Sequence, residues 1–120
     1  MEQVEKLNSC VLIELGGETR KLEYTLHSVV QYKMLTGKNL FKGEIDPQDA
    51  SEIVGLLWAG LISHDESLDG YIDSQGKFDE KVTAGLRQIA KWVTFSRMNE
   101  ISALISDAFG RATPVAKKKS

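Results

Sequence analysis

The sequence predicts an α+β fold dominated by helices: an N-terminal β-hairpin over residues 10–24, then about four α-helices, in one globular domain over residues 1–110. Three observations carry this reading. Apolar and polar residues alternate on both sides of Gly16-Gly17. From Leu26 onward the apolar residues recur at helical spacing. Asp46-Pro47 stands just before the most apolar run in the chain.

The hairpin is read from "CVLIELGGETRKLEY". Gly16-Gly17 can take the positive φ angles of a two-residue primed turn. With that pair at the tip, Val11 lies opposite Leu22 and Ile13 opposite Arg20. Val11, Ile13, Leu15, Leu22 and Tyr24 then share one face, and Leu12, Glu14, Lys21 and Glu23 share a mostly polar one. An isolated hairpin is marginal in water, so the apolar face is expected to pack on helices or on another subunit.

Helices are expected over about 26–36, 47–62, 79–93 and 97–109. In the first, Leu26, Val29, Val30 and Met34 fall at helical spacing, Thr25 suits the N-cap and Gly37 a left-handed stop. Leu40 and Phe41 follow in a loop and are expected to tuck back on the core. In the second, Asp46 is a natural N-cap and Pro47 suits the first helical position. Ile53, Val54, Leu56, Leu57, Trp58, Leu61 and Ile62 cover more than one face, which makes this helix central. Gly55 and Gly60 each cost about 1 kcal/mol of helix propensity relative to alanine, which close approach of a neighbouring chain segment would explain. The third helix carries a stripe of Val82, Leu86, Ile89 and Val93, with Phe78 placed to staple its start. A break is expected near Thr94 to Ser96, with Ser96 as a candidate cap. Met98, Ile101, Leu104, Ile105 and Ala108 then define the fourth helix, with Gly110 as its stop. Residues 111–120 read as a polar, flexible tail.

The totals exclude several classes of function. The chain has 120 residues and a net charge of -2, with 42% apolar and 27% charged residues, so neither a nucleic-acid nor a membrane partner is indicated. One cysteine, Cys10, rules out an intramolecular disulfide; it lies in an apolar alternating run and reads as a buried thiol in a reducing compartment. The apolar run Ile53 to Ile62 is far short of the roughly 20 residues that cross a bilayer, and a cytoplasmic location is expected.

"DESLDGYIDSQG", Asp65 to Gly76, imitates an EF-hand loop. Asp65, Ser67, Asp69 and Asp73 fall at its first, third, fifth and ninth positions, with Gly70 sixth and Ile72 eighth. The bidentate carboxylate of the twelfth position is missing, because Gly76 stands there. The loop is therefore read as a solvated acidic connection with an Asp-Gly turn, and a calcium-binding module is only the third-ranked function. Ser63, His64 and Asp65 are consecutive, and chain neighbours do not converge as triad members must. His27 and His64 are the only histidines, so a zinc site is not expected; His27 is read as solvated and His64 as lying at a helix C-terminus. No phosphate loop, dinucleotide fingerprint, catalytic group, metal ligand or cofactor site is assigned. Trp58 reads as a core aromatic; Trp92, Phe95 and Phe109 are the other large aromatics of the helical half. Trp92 lies off the stripe of its helix and forms with Phe95 either an apolar partner patch or a second core face.

"LGGETRKLEYTLHSVVQYKMLTGKNLF", followed by an acidic N-cap, a helix rich in Leu, Trp, Ala and Gly, and a last helix ending "ISDAFG", resembles the small tail assembly chaperones of tailed phages, prophages and gene transfer agents. The likeness runs from about Val11 to Gly110, and the acidic insert from Asp65 to Lys77 lies outside it. The resemblance implies a non-enzymatic protein of the host bacterial cytoplasm. It would bind the tape measure protein, recruit tail tube subunits, self-associate and be absent from the finished tail. It also implies that "AKKKS", Ala116 to Ser120, is encoded by the kind of A-rich run at which such chaperones shift frame. Partner contacts are expected at Trp92, Phe95 and Met98, and at the hairpin edge at Leu12 and Lys21. The runner-up is a structural tail completion, connector or tail tube subunit, which purified virions would retain.

Overall fold

A computed structural model describes residues 10–42, 45–46 and 49–112. The expectations for Pro47 and for the tail from residue 113, including Lys117 to Lys119, lie outside these. The hairpin comprises β1 (Val11–Leu15) and β2 (Glu18–Leu22). Gly16 and Gly17 take φ of 64° and 81°, where a side chain would be strained. Val11 pairs with Leu22 and Ile13 with Arg20, the register that a turn at this glycine pair dictates. Val11, Ile13, Leu15, Leu22 and Tyr24 are all buried. Helices α1 (Leu26–Thr36), α2 (Ala50–Leu61), α3 (Glu80–Trp92) and α4 (Met98–Ala112) follow, so the fold is α+β and helix-dominated.

Helix α1 has the expected ends. Thr25 and Ser28 form a reciprocal capping box, and Gly37 closes the helix at φ 83°. Its buried face differs from the apolar spacing: Ser28, Gln31 and Tyr32 are buried, while Leu26 is 83% exposed. Hydrogen bonds explain the inversion. Ser28 Oγ donates to Glu23 O at 3.3 Å, and Gln31 Nε2 donates to Gly70 O at 2.9 Å and Asp69 Oδ1 at 3.1 Å. These polar residues tie α1 to the hairpin exit and to the acidic loop, which apolar side chains could not do. Of the loop pair after α1, Leu40 is buried, while Phe41 stays partly exposed with its ring 5.7 Å from that of Phe109.

Helix α2 is the hub, with Ile53, Leu56, Leu57, Trp58, Ala59 and Leu61, and Ile62 just after it, all buried. Hairpin, α1, α3 and α4 all pack on it. Tyr24 Oη donates to Leu56 O at 2.7 Å, and the Glu23 N–H donates to Gly60 O at 2.9 Å. The start of α2 differs from the expectation. It begins at Ala50, and Asp46 is in a turn whose carbonyl accepts the Asp49 N–H at 3.0 Å. Glu52 organises that turn by accepting from the Asp46 N–H at 3.1 Å and from the Lys38 ammonium. The Lys38 hydrogen bond, and then the Asp46 N–H, hold the Glu52 carboxyl below its usual range. A carboxylate depressed by folding stabilises above its unfolded pKa, about 4.3, and that contribution is lost as pH falls through the lower folded value. Glu52→Gln is thus expected to flatten the acid side of the stability–pH curve measured by urea unfolding. Parallel curves for parent and variant would contradict this role.

Helix α3 is capped by Asp79, whose carboxylate accepts the Val82 N–H at 3.1 Å; this and the Tyr71 N–H lower its pKa, Tyr71 most. Phe78 is in an isolated antiparallel bridge with Ile72. The chain breaks after α3 where expected, but Ser96 lies inside a 3-10 turn, Phe95–Arg97, and is not a helix cap. Helix α4 passes through Gly110, which has no positive φ and stops nothing; Arg111 instead pairs back with Asp107 at 3.2 Å. Residues 111 and 112 are therefore helical, not tail.

The acidic connection is more than a solvated loop. Leu68 and Ile72 are buried, and Leu68 O accepts the Trp58 indole N–H at 2.8 Å. Gly70 is needed for space: a Cβ there would fall 2.6 Å from Asp79 Oδ1 and 2.7 Å from Val82 Cγ2. The left-handed glycine of this loop is Gly76, at φ 86°.

Candidate functional site

The polar groups that imitate catalysis or metal binding turn to separate structural partners. Ser63 Oγ is 2.9 Å from Thr25 Oγ1, His64 Nε2 is 2.7 Å from Glu23 Oε1, and Asp65 Oδ2 accepts from Arg20 Nη1 at 3.1 Å. His27, half-exposed, pairs with Asp69 at 2.8 Å. Asp73 Oδ1 accepts the N–H groups of Gln75 and Lys77 at 2.8 and 2.9 Å. Among the described residues, no cluster of His, Cys, Asp or Glu is arranged to hold a metal ion. Cys10 is half-buried, and burial pushes its thiol pKa up, away from the reactive thiolate.

The break between α3 and α4 shapes the most apolar surface. Val93 leaves the helix at φ -87° and ψ 129°, and Thr94 is extended at φ -113° and ψ 155°. Two extended residues between helical segments send Trp92 and Phe95 into different surroundings. Trp92 packs under the hairpin turn: a Cβ on Gly16 would lie 2.4 Å from its indole ring. The Arg20 guanidinium stacks 4.0 Å from the ring centroid. Arg20 is the more buried of the two charges, with Glu18, on the apolar face of the hairpin, and its Nε donates to Leu15 O at 2.8 Å. Ion pairing with Asp65 and stacking on Trp92 make that burial tolerable.

Phe95 points away from the fold and is 90% exposed. It stands at the rim of a groove of about 230 Å³ between α2, the end of α3 and the 3-10 turn. Ile53, Val54, Ala90, Val93 and Met98 line it, and no lining residue is charged. Of the five residues expected to contact a partner, only Phe95 and Met98 meet here. Leu12, 62% exposed, lines a hollow with Glu14 and Leu104 between β1 and α4. Lys21 lines another with His64, and Trp92 a third with Arg20 and Asp65. Trp92 and Phe95 therefore do not form one patch. The α2 wall, Ile53 and Val54, was hidden in the sequence because both residues read as core of a buried helix. A surplus of apolar positions on α2 beyond one face was its only signal.

No protein-family model, curated protein or solved structure matches the chain. Among the described residues, no helix is long and apolar enough to cross a membrane.

Proposed function

We propose that the chain is a non-enzymatic assembly chaperone of the tail-chaperone kind it resembles, gripping an apolar segment of the tape measure protein in the Phe95 groove. The observation that carries this reading is Phe95 itself. A phenylalanine left almost wholly in water beside an uncharged groove costs solubility and adds nothing to the core, which is how protein-binding surfaces differ from the rest of a surface. The groups that imitate a triad or a metal site, Ser63, His64, Asp65, His27, Asp69 and Asp73, support no competing reading, because each is engaged within the fold. Recruitment of tail tube subunits would fall to other surfaces, of which the Leu12 face of the hairpin is the most apolar.

Co-expression with the tape measure protein of the same tail tests the proposal. The tape measure protein is expected to stay soluble and to co-purify with the parent chain. Phe95→Ser should lose that co-purification while changing stability by no more than about 0.5 kcal/mol, as surface substitutions do. Trp92→Ser should instead lower stability by about 2 kcal/mol or more, because it empties the space under the hairpin turn. Equal recovery of tape measure protein with parent and Phe95→Ser would overturn the assignment of the groove. Stoichiometric retention of the chain in purified virions would replace the chaperone with a structural tail subunit.

A further inference from the structure

We infer that the occupant of the Phe95 groove is an amphipathic helix with an acidic flank. The inference rests on the groove being the partner site and adds the chemistry of the partner.

The groove's walls require an occupant that satisfies its own backbone. They are built from α2, α3, a 3-10 turn, the start of α4 and the two extended residues Val93 and Thr94. The Val93 N–H is bonded to Ile89 O and the Thr94 carbonyl to the Arg97 N–H, so an extended peptide would find too short an edge to pair with. A helix brings its backbone hydrogen bonds with it and offers an apolar stripe to the groove.

The charges around the groove set the flank. Ala90 lines it from the end of α3 and Thr94 from the break beyond. Arg87 precedes Ala90 by three residues and shares its side of the helix. Lys91 lies one step further round. Both cations are exposed, and neither is ion-paired with a described residue. The opposite wall begins at the first turn of α2, beside Asp49 and Glu52. There Glu52 is bonded to Lys38, and the charge of Asp49 acts on the same lysine. The α2 side thus has a lysine beside its two carboxylates, while the α3 side presents two cations with no ion pair among the described residues. A helix whose carboxylates run along α3 completes the arrangement; a basic flank would meet like charge.

Two labelled helical peptides test this. They share one stripe of Leu and Ile at positions i, i+3, i+4 and i+7 and differ only in carrying Glu or Lys along one flank. Binding is read by fluorescence anisotropy to the parent chain, to the double variant Arg87→Glu/Lys91→Glu and to Phe95→Ser, each checked for folding by circular dichroism. The Glu-flanked peptide is expected to bind the parent at least about tenfold more tightly than the Lys-flanked one at low salt. The gap should narrow as salt rises, and the double variant should reverse the preference. Equal or tighter binding of the Lys-flanked peptide, with Phe95→Ser abolishing both, overturns the acidic flank and leaves the groove standing. If neither peptide binds the parent in a way that Phe95→Ser removes, the groove itself is not the partner site.

Discussion

Trp58→Ala is expected to lower the unfolding free energy by about 3–5 kcal/mol, a large part of the roughly 5–15 kcal/mol that a domain of this size has. Trp58 is fully buried in α2, and its indole N–H donates to Leu68 O at 2.8 Å. Truncation opens a cavity at the centre of the fold and strips a buried carbonyl of its donor. Trp58→Phe separates the two effects. It keeps most of the volume and loses the hydrogen bond, so it should cost about 1–3 kcal/mol. The loss should be felt first in the acidic loop that Leu68 anchors. Hydrogen exchange in the phenylalanine variant should rise at residues 65–76 before it rises in α3. Urea midpoints within error of the parent for the alanine variant would contradict a core position for Trp58.

The two glycines of α2 should respond to alanine with opposite signs. At Gly60 a Cβ would lie 2.5 Å from Leu22 Cδ1 and 2.9 Å from Tyr24 Cζ. Both neighbours are buried, and Tyr24 is fixed by its bond to Leu56 O. Overpacking of about 1–3 kcal/mol outweighs a helix-propensity gain of about 1 kcal/mol, so Gly60→Ala destabilises and Gly60→Val does so further. At Gly55 the nearest atom to a Cβ is Tyr32 Cε1 at 3.4 Å. There the propensity gain prevails, and Gly55→Ala should stabilise by up to about 1 kcal/mol. The contrast separates hairpin docking from helix propensity, because only Gly60 lies under β2. The same sign at both sites would show that propensity alone governs α2.

These glycines illustrate which parts of the fold were legible in the sequence. Local chemistry reads correctly: a Gly-Gly turn sets the hairpin register, Thr25 and Gly37 bound α1, and the break falls at Thr94 to Ser96. Each of these depends on residues within a few positions of one another. What misled depended on contacts across the chain. The buried face of α1 carries Ser28 and Gln31 because their partners come from Glu23, Ser63 and Gly70. The acidic stretch looked like a solvated loop because the value of Leu68 and Ile72 lies in a core built by other elements. The start of α2 moved to Ala50 because Glu52 and Lys38 organise the turn before it. Gly110 looked like a stop, yet nothing in α4 requires a left-handed residue there.

The candidate site was half legible. Phe95 and Met98 stand out as apolar residues at a break between helices, and they share the groove. Adjacency in the sequence groups Trp92 with them. Two extended residues, Val93 and Thr94, turn the chain between Trp92 and Phe95, and the indole goes to Arg20 and the hairpin tip. No spacing rule carries that information, since it depends on an arginine 72 positions upstream on the inward face of a strand.

The measurement that tests the central claim most directly is a methyl NMR titration of the labelled chain with a segment of the tape measure protein, the partner proposed for the groove. The account predicts that the methyl signals of Val54, Val93 and Met98 move first and furthest, while those of Leu12 and Leu104 stay in place. Shifts centred on Leu12 and Leu104, or around the Trp92 side of α3, with the groove methyls unmoved, would contradict it.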